Sequence, residues 1–128
     1  PELTGSMISN YVKKDIIPNP VKKQYGRDQI ADLLFIAVGK TVLPLEELRA
    51  FLRLRSSAME TREFYAFFTE EFPKILSAVA SGEALPEPGL EEDREIRTVK
   101  RLSREICVTA ARKIWLDHIF EHLPEVTA

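Results

Sequence analysis

Apolar residues recur every three or four positions along most of this 128-residue chain. Such spacing puts them on one face of a helix, whereas a half-buried strand would alternate apolar and polar residues. The pattern predicts four helices, at residues 27–40, 44–55, 59–80 and 91–123. Pro44 suits the first position of the second helix, and Pro124 ends the last. The chain is therefore predicted to be mainly α-helical.

The first of these helices has the densest apolar pattern. Its predicted core-facing stripe consists of Ile30, Leu33, Leu34, Ala37 and Val38. The third helix has a wide aromatic face, and a kink is expected at its internal Pro73.

The residues before the first of these helices follow a different pattern. Thr4 is a good N-cap for a short helix over residues 5–14, in which Met7 and Tyr11 face inward. Two prolines then stop this helix, because proline lacks a backbone donor and biases its predecessor away from helix. Residues 16–25 are expected to form a hairpin-like β wing. A small helix, a basic wing and a supporting helix pair are the parts of a winged helix that binds DNA.

Short motifs in the same region carry a resemblance to a known family. The family pattern reads Ile-Arg-Tyr-Tyr-Glu, Gly-Leu-Leu-Pro, Arg-x-Tyr and Leu-x-Glu-Ile. Its counterparts here are Ile8-Ser9-Asn10-Tyr11-Val12, Asp15-Ile16-Ile17-Pro18, Lys23-Gln24-Tyr25 and Leu45-Glu46-Glu47-Leu48. The segment therefore resembles the N-terminal domain of MerR-type transcriptional regulators. Residues 7–13 and 25–30 are also similar to an uncharacterised bacterial family, domain of unknown function 1836.

The MerR resemblance implies a fold and a division of the chain. Residues 1–55 are expected to form a MerR-like winged helix-turn-helix with a small β wing. Residues 58–123 are expected to form a helical dimerisation or regulatory region, with a linker at residues 82–90. Because only three residues precede Thr4, the first helix of the helix-turn-helix is expected to be missing.

Charge is distributed unevenly along the chain, although the formal net charge is only −2. Residues 1–55 contain nine basic and six acidic residues, a net charge of +3. Residues 56–128 contain nine basic and fourteen acidic residues, a net charge of −5. A basic half beside an acidic half suits a DNA-contacting head and a solvated tail.

The residues predicted to contact DNA lie on the polar side of the short helix and at the basic end of the wing. Serine and asparagine can hydrogen-bond to base edges, and lysine suits phosphates. The alternative interpretation is a solvated helix face that binds nothing. The predicted contacts are Ser6, Ser9, Asn10, Lys13, Lys14, Lys22, Lys23, Tyr25 and Arg27.

The end of the last helix is apolar on more than one face. Such a helix must be buried between elements of one chain or between two chains. We predict a homodimer interface here, with a monomeric core as the alternative. The interface residues are Ile114, Trp115, Ile119 and Phe120.

Other reactive side chains are few. His118 and His122 could share a metal, but histidine near a helix C-terminus is also favoured by the helix dipole. Cys107, the only cysteine, is expected to be a small buried apolar residue rather than a redox centre. No nucleophile paired with a base and no glycine-rich phosphate loop is present, so we predict no enzyme activity, cofactor or metal.

The predicted function is that of a cytoplasmic transcriptional regulator. It would bind double-stranded DNA as a homodimer, and the sequence leaves open whether a small-molecule effector acts on it. No membrane partner is expected, since no apolar run approaches the roughly 18–20 residues that a membrane span needs. The alternative is a protein-interaction or ligand-sensing helical module without DNA binding. Ser9, which stands where the MerR pattern has arginine, and the acidic tail favour that alternative.

Overall fold

The computed structural model describes residues 26–124, together with Met7 and Lys14. Four helices lie in the described part: α1 (Arg27–Gly39), α2 (Leu45–Ala58), α3 (Thr61–Ser81) and α4 (Arg94–Glu121). Their bounds agree with the predicted helices to within three residues at each end. The mainly α-helical class is confirmed.

The predicted winged-helix fold with a small β wing is wrong. Residues 26–124 contain no strand. Helices α1 and α2, expected to support a wing, bury their apolar residues against α3 and α4 in one shared core. The predicted wing at residues 16–25 and most of the predicted helix at residues 5–14 lie outside the described residues. The division into two domains stays a prediction.

Phe35 on α1 lies at the centre of this core. Its ring centroid lies 5.0 Å from that of Phe51, 5.3 Å from that of Phe64 and 5.2 Å from that of Phe68. These rings come from α2 and α3, and their stacked and edge-to-face arrangements are the ones that aromatic pairs prefer. A single side chain of α1 therefore joins three helices.

The core-facing stripe predicted for α1 is partly wrong. Leu33 is buried, but Ile30 and Leu34 are 50% and 42% exposed. The buried positions that replace them are Phe35 and Ile36. Because α1 is apolar on most of its sides, its sequence does not select the face that packs inward.

Helices α3 and α4 run parallel to each other. Lys100 of α4 lies 5.2 Å from the ring centroid of Phe67 on α3, and four residues later in both helices Arg104 lies 3.9 Å from Glu71. The contacts therefore proceed toward the C-termini of both helices together. The non-helical segment 83–93 must therefore return along the bundle. Arg104 Nη2 donates to the carbonyl of Pro86, which ties this segment to α4.

The two ends of the return segment have clear local causes. Gly82 ends α3 in the left-handed conformation at φ 75°, where glycine has no steric penalty. Asp93 caps α4 and accepts a hydrogen bond from the Ile96 backbone amide at 2.9 Å. Pro73 lies inside α3, which continues through it from Thr61 to Ser81.

Gly39 allows a close approach between α1 and α2. A Cβ at this position would lie 2.6 Å from Leu48 Cδ2, and Leu48 is fully buried. We expect Gly39→Ala to lower the free energy of unfolding by about 1–3 kcal/mol, because overpacking outweighs the better helix propensity of alanine. Urea denaturation measures the change. Gly89→Ala, with nothing within 4 Å of the added Cβ, is the control, and a stabilised Gly39→Ala protein would contradict the expectation.

Candidate functional site

The structure describes two of the nine residues predicted to contact DNA. Lys14 is exposed, and Arg27 is exposed at the first position of α1. The others lie outside the described residues: Ser6, Ser9, Asn10, Lys13, Lys22, Lys23 and Tyr25. Their contacts with DNA stay a prediction.

Met7 links the N-terminal region to the helical core. Its side chain is half-buried and packs against the core, as the sequence predicted for this residue. Lys40 Nζ, at the end of α1, lies 3.7 Å from Met7 Sδ. Tyr11, predicted to face the same way, is outside the described residues.

The outward face of α4 carries three arginines that were not among the predicted site residues. Arg94, Arg97 and Arg101 are all exposed, and their spacing of three and four residues puts them on one side of the helix. At 1.5 Å of rise per residue, this row is about 10 Å long. No ion pair joins any of the three to another residue of the described part. We call these three residues the arginine row.

Counting charges by helix would have revealed this face. Residues 94–121 contain seven basic and four acidic residues, a net charge of +3. The acidity of the C-terminal half comes from residues 60–93, with nine acidic and two basic residues. The net charge of residues 56–128 is negative because of segment 60–93, so this sum did not reveal that α4 is basic.

Three other basic residues of α4 have acidic partners. Lys100 Nζ forms an ion pair with Glu91 Oε2 at 3.1 Å, and Lys113 is paired with Asp117. Arg104 faces Glu71, a carboxyl whose pKa is raised because burial outweighs the attraction of that arginine. These contacts hold side chains in place and leave little charge for a ligand.

Cys107 lies on the buried face of α4. The residue is 2% exposed, which confirms the prediction of a buried position. Burial raises the pKa of the Cys107 thiol to about 12, so this group stays protonated at neutral pH. A protonated, inaccessible thiol is a poor nucleophile and a poor metal ligand.

A buried ion pair joins α1 to α2. Arg55 Nη2 lies 3.3 Å from Asp32 Oδ1, and Arg55 Nη1 donates to the Met59 carbonyl at 3.2 Å. Burial raises the pKa of Asp32, the nearby Arg55 opposes that rise, and Asp28 adds to it. Because burial has the largest effect on this pKa, the loss of hydration of the Asp32 carboxylate outweighs its attraction to Arg55.

An open cavity of about 400 Å³ lies beside this ion pair. Its charged lining consists of Asp28, Glu60, Arg55 and Arg62, two acidic and two basic side chains. With two charged side chains of each sign, the lining gives the cavity no net charge that would favour an anion over a cation.

The rings of the two histidines near the end of α4 lie close together, with an angle of 30° between their planes. Their ring centroids lie 4.4 Å apart, and the His122 Nδ1 atom is 3.1 Å from the His118 carbonyl oxygen. Within the part of the chain that the structure describes, no three histidine, cysteine, aspartate or glutamate side chains come together as a metal site would require.

The predicted dimer residues all lie near the C-terminal end of α4. Ile114, Trp115 and Ile119 are half-buried, and Phe120 is 68% exposed. Their part in a dimer stays a prediction. None of the described helices is both long enough and apolar enough to cross a membrane.

A family profile described as Domain of unknown function (DUF1836) matches residues 1–72, more than half of the chain. The chain belongs to the DUF1836 family. The matched region of this DUF1836 protein ends within α3, so α4 and its arginine row lie outside it. Comparisons with curated proteins and with solved structures gave no match. None of the comparisons supports the resemblance to MerR-type regulators.

Proposed function

We propose that this DUF1836 protein is a DNA-binding transcriptional regulator that contacts the phosphate backbone of duplex DNA. The arginine row carries the proposal, because it presents three guanidinium groups to solvent and forms no ion pair with any carboxylate among residues 26–124. Arginine suits such a role, since its planar fork of donors matches the oxygens of a phosphate. Backbone contacts of this kind supply most of the sequence-independent affinity for DNA.

The length of the arginine row is compatible with several phosphates of one strand. Successive phosphates advance by about 3.4 Å along the duplex axis, so a row of about 10 Å corresponds to about three of them. Lys14 and Arg27 are further exposed cations. Base recognition by Ser9 and Asn10 would add sequence preference, which phosphate contacts do not provide.

The salt dependence of DNA binding tests this proposal. Each phosphate neutralised contributes about 0.9 to the slope of log Kobs against log salt concentration. We expect a variant with Arg94→Ala, Arg97→Ala and Arg101→Ala to lose about 2–3 units of that slope and to weaken binding to all sequences alike. Fluorescence anisotropy with a labelled duplex of random sequence measures both quantities.

The matched control removes the same amount of charge from basic residues that already have acidic partners. Arg49, Lys74 and Lys113 pair with Glu46, Glu70 and Asp117. Their triple alanine variant should keep nearly the full slope, apart from a small effect of net charge. Equal losses in the two triple variants would overturn the role of the arginine row, and no DNA binding by the unmodified chain would overturn the function.

A protein-interaction module remains the second candidate. The acidic segment 60–93 and the exposed apolar residues at the end of α4 favour it, because both can bind another protein. A chain that fails to bind DNA but keeps its fold would support this candidate.

A further inference from the structure

The return segment, residues 83–93, is strongly acidic. It contains five acidic residues and no basic ones, a net charge of −5. These residues are Glu83, Glu87, Glu91, Glu92 and Asp93, and all of them except Glu91 are exposed. Asp93 caps α4, so its carboxylate already interacts with the start of that helix. The other four carboxylates have no such role at a helix end.

The return segment is attached to α4 at two points. Glu91 Oε2 lies 3.1 Å from Lys100 Nζ, and the Pro86 carbonyl accepts a hydrogen bond from Arg104 Nη2. The hydrogen bond from Lys100 lowers the pKa of Glu91, so this carboxyl group is ionised at neutral pH. Both attachment points are basic residues of α4 that have acidic partners and are not part of the arginine row.

Helical geometry places both attachment points beside the arginine row. Lys100 follows Arg97 by three residues, and Arg104 follows Arg101 by three. At 3.6 residues per turn, residues three apart are neighbours about 60° from each other around the helix. The return segment therefore runs along the edge of the arginine row, and a duplex bound there would bring its phosphates close to the carboxylates of this segment.

The Glu91 carboxylate holds Lys100 as a phosphate oxygen would. Lysine binds phosphate as a point charge, so a carboxylate already paired with it competes for the same contact. The remaining carboxylates of the return segment repel an approaching phosphate backbone, because like charges that meet across an interface are destabilising. We propose that the return segment is an autoinhibitory phosphate mimic, which covers Lys100 and weakens the binding of duplex DNA to the arginine row. This inference rests on the proposed DNA binding and adds its regulation.

The attachment at Lys100 is weak enough for DNA to compete with it. The side chains of Lys100 and Glu91 are 31% and 25% exposed, and ion pairs open to solvent add little stability and weaken with salt. Leu90, next to Glu91, is fully exposed and holds this end by no apolar contact. Leu85, in contrast, packs against the core and holds the other end. Only the end near Glu91 has to move for Lys100 to reach a phosphate.

Neutralising two carboxylates of the return segment tests the autoinhibition. We expect Glu87→Gln with Glu91→Gln to bind a labelled duplex of random sequence about three- to tenfold more tightly at low salt. The slope of log Kobs against log salt concentration should become steeper by about 0.9, because Lys100 is free to contact one more phosphate. Adding Lys100→Ala to this variant should remove the gain in slope. Fluorescence anisotropy measures both quantities, and circular dichroism checks that the helices are kept.

The matched control, Glu47→Gln with Glu121→Gln, removes the same charge away from the return segment. Both glutamates are exposed, and neither forms an ion pair among residues 26–124. Glu47 lies on α2, and Glu121 lies about 30 Å along α4 from Arg101. The control should change the affinity by less than about twofold, because charges farther away than a Debye length are screened. Equal gains in the two double variants, or no gain in the return-segment variant, would overturn the autoinhibition and leave the proposed function in place.

Heparin, a polyanion, separates a failure of this inference from a failure of the proposed function. If neither the unmodified chain nor the variants bind the duplex, the proposed function is overturned. The salt concentration at which each protein leaves a heparin column still reports how much of the basic surface is open. We expect the return-segment variant to leave the column at higher salt than both the unmodified chain and the control. The same elution for all three proteins would overturn the covering of Lys100.

Discussion

Replacing Phe35 by alanine is expected to lower the free energy of unfolding by about 3–5 kcal/mol. The ring is 1% exposed and contacts aromatic rings of both α2 and α3. Truncation would leave a cavity among side chains that are themselves large and rigid, so the neighbouring helices can close it only in part. A domain of this size is typically stable by about 5–15 kcal/mol, so the loss would be a large fraction of the total.

Chemical denaturation followed by circular dichroism measures this loss. Phe120→Ala is the matched control, because Phe120 is the same residue type but 68% exposed. At protein concentrations where the chain is monomeric, we expect its effect to stay within about 0.5 kcal/mol. Similar losses in the two variants would show that the ring cluster around Phe35 does not hold the helices together.

Replacing Asp32 by alanine is expected to cost about 3–5 kcal/mol, because it leaves Arg55 buried and charged without its partner. Arg55 is only 5% exposed, so its guanidinium would stay largely buried after the loss of Asp32. The control is Glu70→Ala, which breaks the exposed pair with Lys74 and should cost less than about 1 kcal/mol. Thermal and urea denaturation of the two variants give the comparison.

A double variant separates the charge from the packing. Replacing Asp32 by leucine together with Arg55 by methionine removes both charges and keeps apolar volume, so we expect it to recover most of the loss. The stability of the double variant relative to the unmodified chain should rise with pH. The pKa of Asp32 is raised above 3.8 in the folded chain, so the wild-type pair loses stability as pH rises through the interval between 3.8 and the raised value. A double variant as unstable as Asp32→Ala would contradict this account.

The ion pair between Asp32 and Arg55 shows that a sum of charges along the sequence does not reveal which charges neutralise each other in the fold. Arg55 contributed to the basic charge assigned to residues 1–55, yet the fold neutralises it with Asp32, 23 positions earlier. The arginines of α4 were hidden in the opposite way, because nearby acidic residues lowered the average charge of the C-terminal half. Net charge along the chain therefore did not predict which cations face solvent.

The local sequence determined where the helices are. The recurrence of apolar residues, the proline before α2 and the residues at the ends of α3 and α4 act over a few positions, so they can be recognised without knowledge of the fold. The tertiary structure decided which face of each helix is buried, because that depends on side chains far apart in the chain. Phe35 rather than Ile30 lies at the centre of the core, and in the last turns of α4 the apolar residues Leu116 and Phe120 are exposed. Only the packing of all four helices determines which side of each helix remains exposed to solvent or to a partner.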